Sequence, residues 1–154
     1  MNDIHADTDE ETREGEATHV LDEARMVLPG IQALFGFQLV AVVSNRFPAL
    51  PATDQRIHLL SLMFVVVAIA LIMTPAAYHR QAERHRVSRR FINMASRLMT
   101  LAMVPLMVGI CTDLYVIAHA ILGNAWASAA IAIGFSGLFV ALWFVFPQLR
   151  KRRR

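Results

Sequence analysis

The hydrophobic and polar residues of this chain are arranged in long blocks. Four stretches contain no Asp, Glu, Lys or Arg, and they cover residues 26–45, 59–78, 98–112 and 114–149. A helix needs about 20 mainly apolar residues to cross the roughly 30 Å of hydrocarbon in a bilayer. The pattern therefore predicts four membrane-spanning helices, near residues 29–47, 59–78, 98–118 and 125–146.

A soluble bundle of buried helices is the competing interpretation of these blocks. Such a bundle needs a polar stripe on the outer face of each helix, and the segment "AWASAAIAIGFSGLFVALWFVF" is apolar all round. Hydrophobic residues make up 56% of the chain and charged residues only 18%, which is too apolar for a typical soluble domain. The predicted fold class is therefore an all-α, four-helix transmembrane bundle.

The amino-terminal segment differs from the rest in charge. Residues 1–25 contain nine acidic residues and two arginines, a net charge of −7, and disorder is predicted for residues 1–17. From Thr18 onward the apolar residues gather on one side of a helix. This predicts either a short juxtamembrane helix that ends in a turn at Pro29–Gly30 or the beginning of the first span. The membrane domain then covers 18–149, and 150–154 form a basic tail.

The arginines and lysines predict an orientation. With both termini in the cytosol, thirteen of the fifteen Arg and Lys residues lie on the cytosolic side, and only Arg46 and Arg56 lie outside. The positive-inside rule favours this arrangement. The expected location is the inner membrane of a bacterium, with several spans and both termini cytosolic.

Signatures of catalysis and of cofactor binding are missing from the sequence. It contains no phosphate-binding glycine loop, no G-x-S-x-G turn and no H-E-x-x-H pair. Cys111 lies inside a span and is expected to pack as a small hydrophobe. His79, Glu83 and His85 are too few and too close to arginines to predict a metal site. We therefore expect no enzyme activity, no cofactor and no metal.

The expected partners are lipids and membrane proteins. The basic tail adjoins a membrane helix, so anionic headgroups are nearer to it than nucleic acid, and no nucleic-acid binding is predicted. Small residues form a stripe on the fourth span, namely Ala127, Ala130, Gly134, Gly137 and Ala141. Such a stripe lets another helix approach closely. We expect it to be an internal seam, with contact to another copy or another membrane protein as the alternative.

Asp113 is the one carboxylate inside an otherwise apolar run. It lies sixteen residues beyond Arg97, about 24 Å along a helix, and therefore close to the outer face of the membrane. An arginine partner would reduce the cost of placing a charge there. We predict a structural ion pair on the outer side between Asp113 and Arg46, with Arg56 as the alternative partner, in preference to a proton relay.

Two motifs in the first half of the chain carry a family resemblance. "DEARMVLPGIQALFGFQL" and "TPAAYHR" resemble an R-x-x-L-P-G-x-Q-x-L-F-G-F first span and a P-A-A-x-H-R end of the second span. These are typical of a family of small bacterial integral membrane proteins of unknown function. The resemblance implies a four-span inner-membrane protein and no specific activity. It marks Arg25, Pro29, Gly30, Gln32, Gly36, Gln38, Pro75, His79 and Arg80.

The ends of spans one and two on the cytosolic side should be neighbours. A polar cluster of structural or functional residues is therefore predicted, consisting of Asp22, Glu23, Arg25, Gln32, Gln38, His79, Arg80 and Arg97. Within it, Asp22 or Glu23 is expected to pair with Arg80 or Arg84. The leading hypothesis is a non-enzymatic scaffold or regulator at the inner leaflet. The alternative is an oligomeric transporter or channel whose polar path includes Gln32, Gln38, Arg97 and Asp113.

Overall fold

The computed structural model describes residues 2–82 and 88–152, and the side chains of 15–81 and 88–150. The described elements are all helical. They are α1 (Asn2–Val42), a short 3-10 turn (Phe47–Ala49), α2 (Ala52–Ala82), α3 (Arg89–Leu122), α4 (Ala125–Val140), a π-helical turn (Ala141–Val145) and α5 (Phe146–Arg152). Four segments are long and apolar enough to cross a membrane, namely Gly15–Val42, Ala52–Gln81, Arg89–Leu122 and Ala125–Arg150. The predicted all-α four-helix bundle is confirmed.

The helices run antiparallel, so the bundle has two distinct ends. The connections at 43–51 and 123–124 lie at one end, which we call the hairpin end. The amino end of α1, the carboxyl end of α2 and the amino end of α3 lie at the other, which we call the terminal end. The α2–α3 interface is the most extensive, while α1 packs mainly on α2, and α4 packs mainly on α3.

Helix α1 begins earlier in the chain than the sequence predicted. It begins at Asn2, so residues 2–17 are helical where disorder was predicted. Residues 18–28 continue directly into the first span, as in the second of the two alternatives, and Pro29 lies inside the helix. Acidic residues near a helix amino terminus are favourable because of the helix dipole. In an apolar span, the chain also gains by keeping its remaining backbone groups paired.

An apolar core fills the terminal half of the α1–α2–α3 unit. Its buried members include Ile31 of α1, Val65 and Ile72 of α2, and Ala95 and Ala102 of α3. Ile31, Val65, Ile72 and Ala102 belong to one cluster, and Ala95 packs with Phe91 in a second one. The core therefore leaves no described polar side chain buried among these helices between Ser61 and the terminal end.

Gly109 allows α2 and α3 to approach closely. A Cβ atom at this position would lie 2.9 Å from Val65 Cγ2 and 3.2 Å from the backbone oxygen of Ser61. Contacts this short require a neighbour to move, and one of the two neighbours is backbone. The absence of a side chain is therefore what sets the separation of the two helices here.

Helix α4 is attached to the bundle by one narrow face. Ser128 is its only buried described residue, and the Ser128 and Ser136 hydroxyls donate to the oxygens of Asn124 and Ala132. The predicted internal seam is wrong, because nothing lies within 4 Å of a Cβ built at Gly134 or Gly137. The exposed members of the stripe are Ala130, Gly134, Gly137 and Ala141. Because α4 is apolar all round, hydrophobicity does not specify which face packs.

A wide turn near the end of the fourth span accommodates a proline. The Phe146 N–H donates to the backbone oxygen of Ala141, five residues earlier, and Ala141–Val145 form a π-helical turn. Pro147 follows directly and has no N–H, and its ring would clash with a carbonyl of the preceding turn in a regular α-helix. The π-helical turn relieves that clash and lets the helix continue.

Candidate functional site: a buried polar network and a basic groove

Buried polar side chains are concentrated in the hairpin half of the bundle. Four of them, Gln38, Asp54, His58 and Ser61, are at most 4% exposed. Asp113 and His119 of α3 complete the set, which we call the polar network. A polar group in an apolar interior is costly unless it is hydrogen-bonded, so the partners of each member determine whether the arrangement is stable.

His58 joins three helices. Its Nδ1 lies 2.7 Å from Asp113 Oδ1 on α3, and its Nε2 lies 3.1 Å from the backbone oxygen of Gln38 on α1. The two ring nitrogens thus face oxygen atoms on two neighbouring helices. The Phe47 ring packs against the imidazole, with 5.4 Å between centroids.

A second histidine–carboxylate pair lies one helical turn closer to the hairpin end. His119 Nδ1 is 2.7 Å from Asp54 Oδ2, and the Asp54 side chain is only 2% exposed. The Tyr115 ring stacks on the imidazole, with 5.7 Å between centroids. Asp54 lies in the first turn of α2, where a carboxylate is also favoured by the helix dipole.

The innermost part of the network is uncharged. Gln38 Nε2 donates to Ser61 Oγ at 2.8 Å, and Ser61 Oγ donates to the backbone oxygen of Gly109 at 2.7 Å. These two bonds connect α1, α2 and α3. The other amide atom, Gln38 Oε1, is buried and has no hydrogen-bond partner. The network therefore has one unfilled acceptor, at its deepest level.

The predicted ion pair between Asp113 and Arg46 is wrong. Asp113 pairs with His58, and no described ion pair involves Arg46 or Arg56, both of which are exposed. Arg46 follows the end of α1 and caps the 3-10 turn, whereas Asp113 lies on the α3 face that packs against α2. Sequence could have indicated the two pairs, because an acid and a histidine recur four apart on α2 and six apart on the antiparallel α3.

A wide groove separates α1 and α2 at the terminal end. It encloses about 850 Å³ and its rim includes Arg25, Gln32, His79 and Arg80, four of the eight residues of the predicted polar cluster. Leu28, Ile72 and Met73 are among the apolar residues of its wall. We call this feature the basic groove. The motif residues at the two ends of the resemblance thus share one site.

The other four members of the predicted cluster lie elsewhere. Gln38 is in the polar network, and Arg97 is exposed on α3. Glu23 lines a separate groove of about 370 Å³ between α1, α3 and the fourth span. Asp22 pairs with Arg25, one turn along the same helix, at 3.1 Å.

The predicted pairing of Asp22 or Glu23 with Arg80 is not formed among the described side chains. The nearer Arg25 takes the Asp22 carboxylate, because residues three apart on a helix are neighbours on its surface. The Arg84 alternative lies outside the described residues. Over the same described part of the chain, no three His, Cys, Asp or Glu side chains are grouped so as to hold a metal ion. Cys111 is buried as a free thiol.

Comparison with known proteins gives a family without an assigned role. The model of a family of unknown function, DUF6328, matches residues 6–147, which extends from α1 into α5. No curated protein and no solved structure matches the chain.

Proposed function

This chain belongs to the DUF6328 family of unknown function, and we propose that it is a non-enzymatic scaffold or regulator at the inner leaflet of a bacterial membrane. The basic groove is the observation that carries this proposal. It encloses about 850 Å³, and it combines two arginines and a histidine with an apolar wall. A site of that kind can recognise an amphipathic partner without performing chemistry.

The polar network supports a structural role for the hairpin half. Its two histidine–carboxylate pairs and the Gln38–Ser61–Gly109 connection hold α1, α2 and α3 together at one end. A rigid hairpin end would position the helices that form the groove at the other end. A rigid hairpin end with a binding groove at the terminal end suits a protein that presents a fixed recognition surface.

The same three helices argue against conduction through a single copy. The polar network stops at Ser61 and Gly109, and the core from Val65 to Ile72 and along Ala95 and Ala102 is apolar. An ion crossing that layer would meet no described buried polar side chain. A path through one protomer would therefore include a strongly unfavourable apolar barrier.

A transporter or channel formed by several copies is the second candidate. It is favoured by the unpartnered Gln38 Oε1 and by the exposed small-residue stripe of α4. In that case the polar path would run between subunits. The residues of the polar network would then line only the half of that path nearest the hairpin end.

The orientation is part of the proposal. The sequence puts thirteen of the fifteen Arg and Lys residues in the segments that would face the cytosol, and the positive-inside rule favours cytosolic termini for this distribution. The basic groove would then face the cytosolic leaflet.

Flux measurements test the proposed role against the transporter. The protein would be reconstituted in liposomes, and the flux of protons and K⁺ would be compared with that of protein-free liposomes. We expect equal fluxes for the wild type, for Asp113→Asn and for empty vesicles, whatever the oligomeric state in mild detergent. A wild-type flux that Asp113→Asn abolishes would overturn the proposed role and favour the transporter.

A further inference from the structure

We propose that the basic groove binds an anionic phospholipid, with its phosphate at Arg25 and Arg80 and an acyl chain along the apolar wall. The inference rests on the proposed function only in assigning the site to the cytosolic leaflet.

Both arginines are accessible to a phosphate. Arg80 is exposed, and no described ion pair involves it. The Arg25 side chain is 79% exposed and its single partner, Asp22, is 48% exposed. Exposed ion pairs of this kind contribute little to stability, so a phosphate can share or replace the carboxylate. A guanidinium also has five donors in a fork that matches phosphate oxygens.

His79 and Gln32 extend the polar rim in two directions. His79 is half-buried, and its ring lies 5.5 Å from the Phe91 ring, which fixes its position between α2 and α3. Gln32 is seven residues beyond Arg25 on α1, about 10 Å deeper along the helix. The phosphate level therefore has cationic groups, and the level below it has an amide that can bond to the ester groups of a lipid.

The wall of the groove fits a hydrocarbon chain. Leu28, Ile72 and Met73 line it, and the small side chain of Ala76 leaves space between them. Met73 is 45% exposed, so the wall is continuous with the lipid-facing surface of α2. A free phosphate would leave this apolar volume unfilled, whereas a phospholipid would occupy both the rim and the wall.

The local charge favours an anionic lipid over a zwitterionic one. The rim holds two arginines against one carboxylate, with a histidine beside them. Arg and Lys residues near an anionic membrane surface are attracted to it, and the attraction increases with each added cation. A choline headgroup would bring its own positive charge close to the two guanidinium groups, and the repulsion would remove that preference.

The test uses the full-length protein in a neutral detergent. Binding of phosphatidylglycerol, of phosphatidylcholine with the same acyl chains, and of inorganic phosphate would be measured by native mass spectrometry and by thermal shift. We compare Arg25→Gln/Arg80→Gln with Arg46→Gln/Arg56→Gln, which removes the same charge from exposed arginines at the hairpin end. We expect the first variant to lose about tenfold or more in phosphatidylglycerol affinity and the second to keep it.

A second variant separates the wall from the rim. Ala76→Phe fills the apolar part without changing the charge, and it should weaken phosphatidylglycerol binding while leaving any inorganic phosphate binding unchanged. It also keeps the inference testable if the double arginine variant does not fold. Equal affinity for the two lipids, equal losses in the two arginine variants, or inorganic phosphate binding as tightly as phosphatidylglycerol would each overturn the proposal.

These outcomes are distinct from those of the flux assay. Lipid selectivity in detergent does not depend on orientation or on conduction. A conducting protein with a selective groove would overturn the proposed role alone, and a non-conducting protein without selectivity would overturn the lipid site alone.

Discussion

His58 shows how one side chain can fix three helices. It is carried by α2, and it contacts a carboxylate of α3 and a backbone oxygen of α1. Because no water is available in an apolar interior, removal of either partner leaves a buried polar group unpaired. Losing one partner therefore costs more free energy than the hydrogen bond itself contributes.

A double-mutant cycle between His58 and Asp113 measures this contact. We expect His58→Ala and Asp113→Ala to be non-additive, with a coupling free energy of about 1–3 kcal/mol in chemical unfolding of the detergent-solubilised protein. The control cycle combines Arg46→Ala with Asp113→Ala. Because the Arg46 guanidinium is exposed, we expect a coupling free energy near zero. Strong coupling to Arg46 and none to His58 would restore the ion pair predicted from sequence.

Gly109 offers a second prediction at the scale of one residue. Gly109→Ala should destabilise the protein by about 1–3 kcal/mol, because its Cβ would lie 2.9 Å from Val65 Cγ2 and 3.2 Å from a backbone oxygen. Gly134→Ala is the control, since a Cβ there meets nothing within 4 Å. Thermal unfolding in detergent would measure both. Equal melting temperatures for the two variants would contradict the close approach.

The sequence located the polar side chains better than their partners. Asp113 was expected to have a structural partner near the hairpin end, and it has one, but an arginine was preferred to His58 on the basis of charge. The choice depends on which face of α2 and α3 is turned inward. The packed structure shows the rotation of the two helices that places His58 beside Asp113.

At the scale of the helix, the start of α4 is fixed by a capping residue. Asn124 Oδ1 accepts hydrogen bonds from the N–H groups of Trp126 at 3.0 Å and Ala127 at 3.2 Å. Gly123, with φ of 63°, supplies the left-handed turn that ends α3 immediately before it. The α3–α4 connection thus consists of two residues: Gly123 adopts the left-handed turn, and Asn124 caps the next helix.

We expect Asn124→Ala to lower the unfolding free energy by about 1 kcal/mol, because two N–H groups lose their acceptor. Asn124→Ser should retain most of the stability, since a serine oxygen can also cap the helix. Chemical unfolding in detergent is the measurement. An alanine variant as stable as the serine variant would mean that lipid or detergent headgroups, and not the side chain, satisfy this helix end.

The positions of the four long helices were predictable because membrane thickness sets a minimum apolar length. The extension of α1 to Asn2 was not, since a run of acidic residues indicates disorder by charge while its individual residues are compatible with a helix. The exposed stripe on α4 was also misassigned. Small residues permit close packing, but they do not identify the helix that packs there.

For the whole molecule, the asymmetry of positive charge predicts orientation. A reporter enzyme that is active only outside the cytosol should be inactive when fused after Arg154 and active when inserted near Ala52, because the terminal end carries most of the arginines. The pair of fusions controls for expression. Activity of the carboxyl-terminal fusion together with silence of the hairpin insertion would reverse the topology and place the basic groove at the opposite leaflet.

The order of the two histidine–carboxylate pairs has a consequence for how the helices find their alignment. Moving away from the hairpin end, α2 presents an acid and then a histidine, while α3 presents a histidine and then an acid. If α3 slid by the spacing of one pair, roughly 6–9 Å along the axis, Asp54 would meet Asp113 or His58 would meet His119. Every such slip sets like against like in a water-poor interior. The two pairs therefore fix the axial register of two helices whose other contacts are largely apolar and would tolerate sliding.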